Sequence, residues 1–429
     1  MKLASTHMLR RLLPVFLSQS SAVVLGLVGV KLVSQFVTPE LNRSFNLFVT
    51  FAPIGYLITH SGLFNHALRY WQREGESAGS YTRFLWDQSL ARLKYLAPLL
   101  GIVCGVMAIR DRDWIWLWAM FPLGLLSNFA LILQSIALGV LSADKRLWDV
   151  LVVNLVTGVA RVGLPIGLAL MSEVTFFNLG LGFAVHGAIV IALVVAVFRF
   201  GIGAPPPSIE TAQKWHQELR DYGRPFLWLG IGGWLLQYAD RFIVDHFFGK
   251  VEAGLFGYAA NIGSMIPVLA TGGVMQLAFP GIFRRSDEAR TPADWKRIAR
   301  LCDGATLAFV GLTFGGLLFF VWIAPRLVGP LIDPAYARSI SMVLPSGMAM
   351  AALQINQFYG LLFLGRHNSA ALVKLMLLIP AIKTLGSIVA AYYSWSAFLG
   401  WLMLSFVLSG LSAVFFIRRA ALNLRTASD

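Results

Sequence analysis

Twelve stretches of this chain are apolar for 17 residues or more, and no other feature limits its fold as strongly. They run at 12–37, 45–67, 93–109, 115–141, 147–171 and 175–199, then at 224–248, 254–282, 300–325, 340–364, 369–393 and 396–417. A helix rising 1.5 Å per residue needs about 20 such residues to cross a hydrocarbon core of about 30 Å. Within that core every backbone N–H and C=O needs an internal partner, which for segments of this kind means a helix. Charged residues make up 13% of the 429, and mean hydropathy is +0.69, whereas a soluble domain carries about 25% charged residues. The expectation is an all-α polytopic membrane protein of about twelve spans.

The N-terminal "MKLASTHMLRRLLPVFL" begins like a secretory signal, but its apolar run continues to Val37 and carries Lys31. It reads as a retained first span. Between the sixth and seventh spans lies "APPPSIETAQKWHQELRDYG", a proline run followed by a charged amphipathic stretch. The predicted organisation is a six-helix lobe at 1–200, a cytoplasmic linker at 201–221 and a second six-helix lobe at 222–429. Lobes with even span numbers share one orientation, as parallel repeats do. An ungapped offset of 211 brings Pro14 onto Pro225, Phe36 onto Phe247 and Phe45 onto Phe256. Prolines inside spans, Pro53, Pro165 and Pro225 among them, mark bent helices.

Net charge is +14, yet the basic residues fall mainly in alternate loops, so nucleic acid is not the expected partner. Taken with both termini, one set of loops carries 24 Lys and Arg and the other carries 6. The positive-inside rule then places both termini in the cytoplasm. Trp114, Trp116, Trp118, Tyr392, Tyr393 and Trp395 fall at outer boundaries, where amphipathic rings settle. Cys104 and Cys302 lie in or beside apolar spans and imply neither a disulfide framework nor a metal site.

Ionisable groups inside spans carry the functional signal. In "LLQYADRFIVDHFFG", residues 235–249, Asp240, Arg241 and Asp245 interrupt the seventh span. The apolar part from Phe226 to Ala239 covers about 21 Å at helical rise, too short to cross the core, so the charges belong to the helix. Lys31, Arg161, Arg241 and Lys383 are the cations set well within spans, against one comparably deep carboxylate, Asp240. A mid-span Arg or Lys costs about 2.5–3.5 kcal/mol to insert, so such residues usually face a wet interior. Helical spacing groups Lys31 with Ser34 and Gln35, Arg161 with Asn154, Thr157 and Gly158, Arg241 with Gln237, and Lys383 with Ser387. A lumen lined this way carries roughly +3 and suits an anion.

Structural alternatives stand beside each assignment. Arg241 could pair with Asp245 one turn on, or with Asp240 through another helix. Lys31 could snorkel to outer headgroups, and Lys374 to inner ones. His60 and His186 read as packing or hydrogen-bonding residues. Gln354, Asn356 and Gln357 could contact sugar hydroxyls or bond neighbouring helices.

The twelve-span plan, the basic linker and the passage "ELRDYGRPFLWLGIGGWLLQYADRFIVDHFFGKVEAGLFGYAANI" resemble the Wzx-type polysaccharide flippases of the MOP (multidrug/oligosaccharidyl-lipid/polysaccharide) superfamily. The matching positions are Asp240, Arg241, Phe242, Phe248, Gly249, Glu252, Gly254, Gly257 and Tyr258, and the sequence-level motif spans residues 218–261. The resemblance implies a MATE-like fold and a cationic cavity between lobes that alternates in access. The implied cargo is an undecaprenyl-pyrophosphate-linked oligosaccharide, crossing a bacterial inner membrane for O-antigen, exopolysaccharide or capsule synthesis. It implies no cofactor, a coupling ion (H+ or Na+), and membrane lipid, a glycan polymerase and other biosynthesis proteins as partners. On this reading Lys31, Arg161, Arg241 and Lys383 bind substrate, and Asp240 and Asp245 couple or pair. A lipid II flippase or a MATE-like drug exporter of the same superfamily is the competing expectation. Exporters of organic cations need buried carboxylates, and the first lobe has none at mid-span. Paired catalytic carboxylates, a nucleophile elbow and a metal cluster are all lacking, so an enzyme is not expected.

Overall fold

The structure is a computed structural model describing residues 2–71, 78–199, 203–327, 332–365 and 369–419. Arg73, Arg366 and Arg425, which enter the charge asymmetry, lie outside these residues. Among the described residues the chain is helical with no strand. It divides into two compact units, one holding residues 1–37 and 44–231 and the other residues 38–43 and 232–429.

The first unit contains α1 (Lys2–Phe36), most of α2 (Pro39–Ile54), α3 (Ser61–Tyr70), α4 (Ala78–Ala91) and α5 (Leu93–Asp111). It continues with α6 (Phe121–Ala143), α7 (Leu147–Met171) and α8 (Phe176–Phe198). The second unit takes the later part of α9 (Ile209–Phe247), then α10 (Lys250–Glu288), α11 (Pro292–Leu327) and α12 (Ile340–Gly365). It closes with α13 (Ser369–Tyr393) and α14 (Trp395–Ser412). Each expected span coincides mainly with these helices, the second being divided between α2 and α3. Among the described residues eight helical segments, α4 and α5 together counting as one, are long and apolar enough to cross a membrane by length and composition, and the chain is a multi-pass membrane protein. The α9 segment, interrupted by Asp240, Arg241 and Asp245, is not among the eight.

The second expected span is not one helix. Pro53 withdraws a backbone donor, and the chain passes through a π-helical turn, Gly55–Thr59, before α3 resumes. Such a break leaves backbone groups without intrahelical partners. Asn128 of α6 supplies them: its Oδ1 accepts from Gly55 N at 2.8 Å, and its Nδ2 donates to Phe51 O at 3.1 Å. Asn128 is itself fully buried.

Packing in the first unit relies on small residues at helix crossings, as expected where lipid removes the hydrophobic drive between helices. Ser18, Leu25 and Gly29 of α1 meet Asn154, Gly158 and Val162 of α7, and Asn154 Nδ2 donates to Ser18 Oγ at 2.9 Å. Between α7 and α8, Gly182 lies so close to Pro165 that a Cβ would sit 2.4 Å from its Cα. That contact fixes the register of the α7–α8 hairpin.

The predicted linker differs in kind from the observed segment. Residues 209–221 are helical and continuous with the seventh span. Trp215 is fully buried against Tyr81 and Phe84 at ring distances of 5.0 and 5.3 Å. The unit boundary therefore falls between Ile231 and Gly232, inside α9. The repeat offset reappears in the helix ends. α1 ends at Phe36 and α9 at Phe247, while α2 begins at Pro39 and α10 at Lys250, both intervals being 211.

Candidate functional site

Neighbouring residues on a helix point about 100° apart, so Asp240 and Arg241 face different neighbours. Asp240 faces α13, where its carboxylate pairs with Lys383 Nζ and its Oδ1 accepts from Ser387 Oγ at 2.9 Å. Lys383 Nζ also donates to Leu236 O at 3.2 Å, and Trp401 Nε1 of α14 donates to the Lys383 carbonyl at 2.9 Å. Lys383 and Ser387, one turn apart, share the face expected of them, and it meets a carboxylate. The Lys383 and Asp240 side chains are 2% and 8% exposed.

Arg241 turns toward α10, donating from its terminal nitrogen to Asn261 Oδ1 at 2.8 Å, with its guanidinium 5.6 Å from the Tyr238 ring centre. Asp245 accepts two bonds from Arg43, Nε to Oδ1 and Nη2 to Oδ2, each 2.6 Å. This fork is buried on both sides, at 2% and 1% exposure. Arg43 sits at the start of α2 within the second unit. The available signal was Asn42, Arg43 and Asn46 forming a polar face at helical spacing. Asn42 Nδ2 donates to Gly254 O at 2.9 Å, and a Cβ on Gly254 would fall 1.8 Å from Pro39 O. The motif glycine is thus the contact surface for this segment.

The cations of the first unit are placed differently. Lys31 and Arg161 are exposed, and neither side chain makes a hydrogen bond or ion pair among the described residues. The polar stripe expected around Arg161 divides. Asn154 and Gly158 face α1, Thr157 Oγ1 accepts from Gln134 Nε2 of α6 at 3.1 Å, and Arg161 alone is exposed. Of the proposed sugar contacts, Gln357 is exposed. Gln354 is buried, and Asn356 is fully buried with Nδ2 donating to Ala352 O at 3.0 Å.

One polar cluster escaped the sequence reading. Asp303 of α11 accepts from Arg418 Nε at 2.9 Å and Nη2 at 3.0 Å, and Tyr359 of α12 donates to its Oδ1 at 2.8 Å. It ties the last described turn to two helices. Among the described residues no group of three or more His, Cys, Asp or Glu could hold a metal ion.

The fold is like that of solved MATE transporters and of the lipid II flippase MurJ. A solved structure of the lipid II flippase MurJ, in an inward closed conformation, matches at TM-score 0.69 and 12% identity, covering 95% of this chain and 88% of that one. The Vibrio cholerae MATE transporter VcmN, solved as a point mutant, matches at TM-score 0.64 and 14% identity over 99% and 98% of the two chains. An inward-facing multidrug resistance MATE family transporter matches at TM-score 0.62 and 12% identity, over 95% and 98%. No family model and no curated protein matches the chain.

Proposed function

We propose that this protein is a flippase carrying an undecaprenyl-pyrophosphate-linked oligosaccharide across a bacterial inner membrane by alternating access. The observation that carries the reading is Arg161: a permanently charged guanidinium at mid-helix, exposed, without an acidic partner among the described residues, in a fold shared with a lipid II flippase. A guanidinium in a water-poor site binds phosphate oxygens through charge-assisted, bidentate hydrogen bonds. Lys31 adds a second cation on the adjacent α1. In the second unit Arg241 is the remaining candidate, while Lys383 serves Asp240 in the structure described. The polyprenyl tail stays in hydrocarbon. The cargo shifts the transport equilibrium only by binding one state more tightly than another.

The test is transfer of a fluorescent undecaprenyl-pyrophosphate oligosaccharide across reconstituted vesicles. Arg161→Ala abolishes transfer while insertion is unchanged, and Arg161→Lys retains part of it. Unchanged transfer in Arg161→Ala removes the proposal. Imposed proton and sodium gradients in the same vesicles identify the coupling ion. Export of an organic-cation dye without lipid transfer assigns the chain to the competing exporter reading. Reporter fusions at both ends test the cytoplasmic placement of the termini.

A further inference from the structure

Arg161 has a neighbour that the sequence reading left as a packing residue. The Gly182–Pro165 contact sets the register of the antiparallel α7–α8 hairpin, so stepping four residues along each helix brings Arg161 level with His186. The guanidinium is close enough for its charge to act on the imidazole. His186 is buried, at 9% exposure, and its Nδ1 makes no hydrogen bond of normal geometry, with the Phe183 carbonyl one turn back as the acceptor that acts on the ring. A buried polar atom left unpaired costs free energy, so it is an available position for a ligand to satisfy.

The surroundings leave no other ionisable group to answer it. α8 has no other ionisable side chain, and α6 has none. The part of α2 whose Phe45 and Phe48 pack on Phe183 has none, nor does the Trp116–Met120 turn. On α7 the other charged residue is Asp149, about 18 Å along the helix from Arg161 and paired with Arg146 at 2.6 Å. α1 contributes Lys31. Arg161 and His186 form a basic pair without an acidic member.

We propose that His186 is the proton-accepting partner of a phosphate-class anion bound at Arg161, so that anion binding and proton uptake at Nδ1 are one event. This rests on Arg161 being an anion-binding residue and adds the residue that couples it to pH. Without an anion, a second positive charge beside Arg161 is repelled. With an anion between them, both cations are attracted to it. The proton comes from solvent, and Nδ1–H then donates to an anion oxygen. Affinity rises as pH falls, by up to about tenfold per pH unit for one linked proton.

The experiment uses full-length protein in nanodiscs, with imidazole signals followed by NMR and His186 assigned from the His186→Gln spectrum. Sulfate is the first probe, because it does not itself titrate near neutrality. A polyprenyl pyrophosphate in the disc is the second. Sulfate or the lipid shifts the His186 titration upward in the wild type, and Arg161→Ala weakens binding at least about tenfold and removes the shift. His186→Gln gives an affinity that no longer varies with pH. A response to the lipid alone identifies a lipid-borne anion, and a response to sulfate alone a free one. Anion binding that depends on Arg161 but leaves His186 unshifted overturns this proposal and spares the flippase reading. Binding that ignores Arg161 in both arms overturns both.

Discussion

Replacing Lys383 with methionine removes one member of a pair that solvent barely reaches, with side chains 2% and 8% exposed. Screening does little there, and a carboxylate left without its cation costs about 3–5 kcal/mol. Ser387 Oγ still donates to Asp240 Oδ1 at 2.9 Å, a bond to a charged group worth about 1.5–3 kcal/mol, which places the loss toward the lower end. Asp240→Leu strands the ammonium in the same way. The double variant Lys383→Met with Asp240→Leu restores a matched apolar contact and should lie within about 1 kcal/mol of the wild type, or above it. The double-mutant cycle therefore yields a coupling of roughly 3 kcal/mol or more. At about 2–4 °C per kcal/mol for a unit of this size, each single variant unfolds roughly 6–20 °C earlier, while the double does not. Thermal unfolding in detergent micelles measures all four proteins. Additive single effects, each below about 1 kcal/mol, would show that the pair does not hold α9 to α13.

Four other outcomes follow from packing and hydrogen bonding elsewhere in the chain. Asp245→Asn breaks the buried fork to Arg43 and should lower stability by about 3 kcal/mol or more, with Arg43→Gln on that background recovering part of the loss in the same unfolding assay. Gly254→Ala puts a methyl 1.8 Å from Pro39 O and should sharply reduce the folded yield. By contrast Gly233→Ala, with nothing within 4 Å, should raise stability by about 0.5–1 kcal/mol, read as a higher Tm. At the start of α11 the Thr291 hydroxyl and the Thr291 and Arg290 backbone N–H groups hold the Asp294 carboxyl below its ordinary range. Its capping contribution is present at neutral pH and disappears as pH falls through that lowered value. Amide exchange at residues 291–297 should accelerate there in the wild type, and Thr291→Ala should move the change to higher pH.

The helices were legible because their cause is local. Apolar runs in a chain that must satisfy its backbone inside lipid can form nothing else. The exception at Gly55–Thr59 was hidden because Asn128, which makes the break tolerable, comes from α6. The helical continuation of residues 209–221 into the seventh span depends on a similar distant contact. A charged amphipathic stretch looks solvated until a neighbouring surface such as Tyr81 and Phe84 receives its Trp215 side chain.

Charges inside the spans were visible as single residues, and their spacing placed Lys383 beside Ser387. Their partners were not visible, because an ion pair joins residues that share no sequence neighbourhood: Asp240 with Lys383 and Asp245 with Arg43. Composition and periodicity therefore determined that this chain spans a membrane and carries buried cations. Only the packing of one helix against another decided which cations meet a carboxylate and which, like Arg161, have none among the described residues. The physical reason is range: backbone satisfaction is settled within a turn or two of helix, whereas compensation of charge depends on whatever side chain the fold brings within a few ångströms.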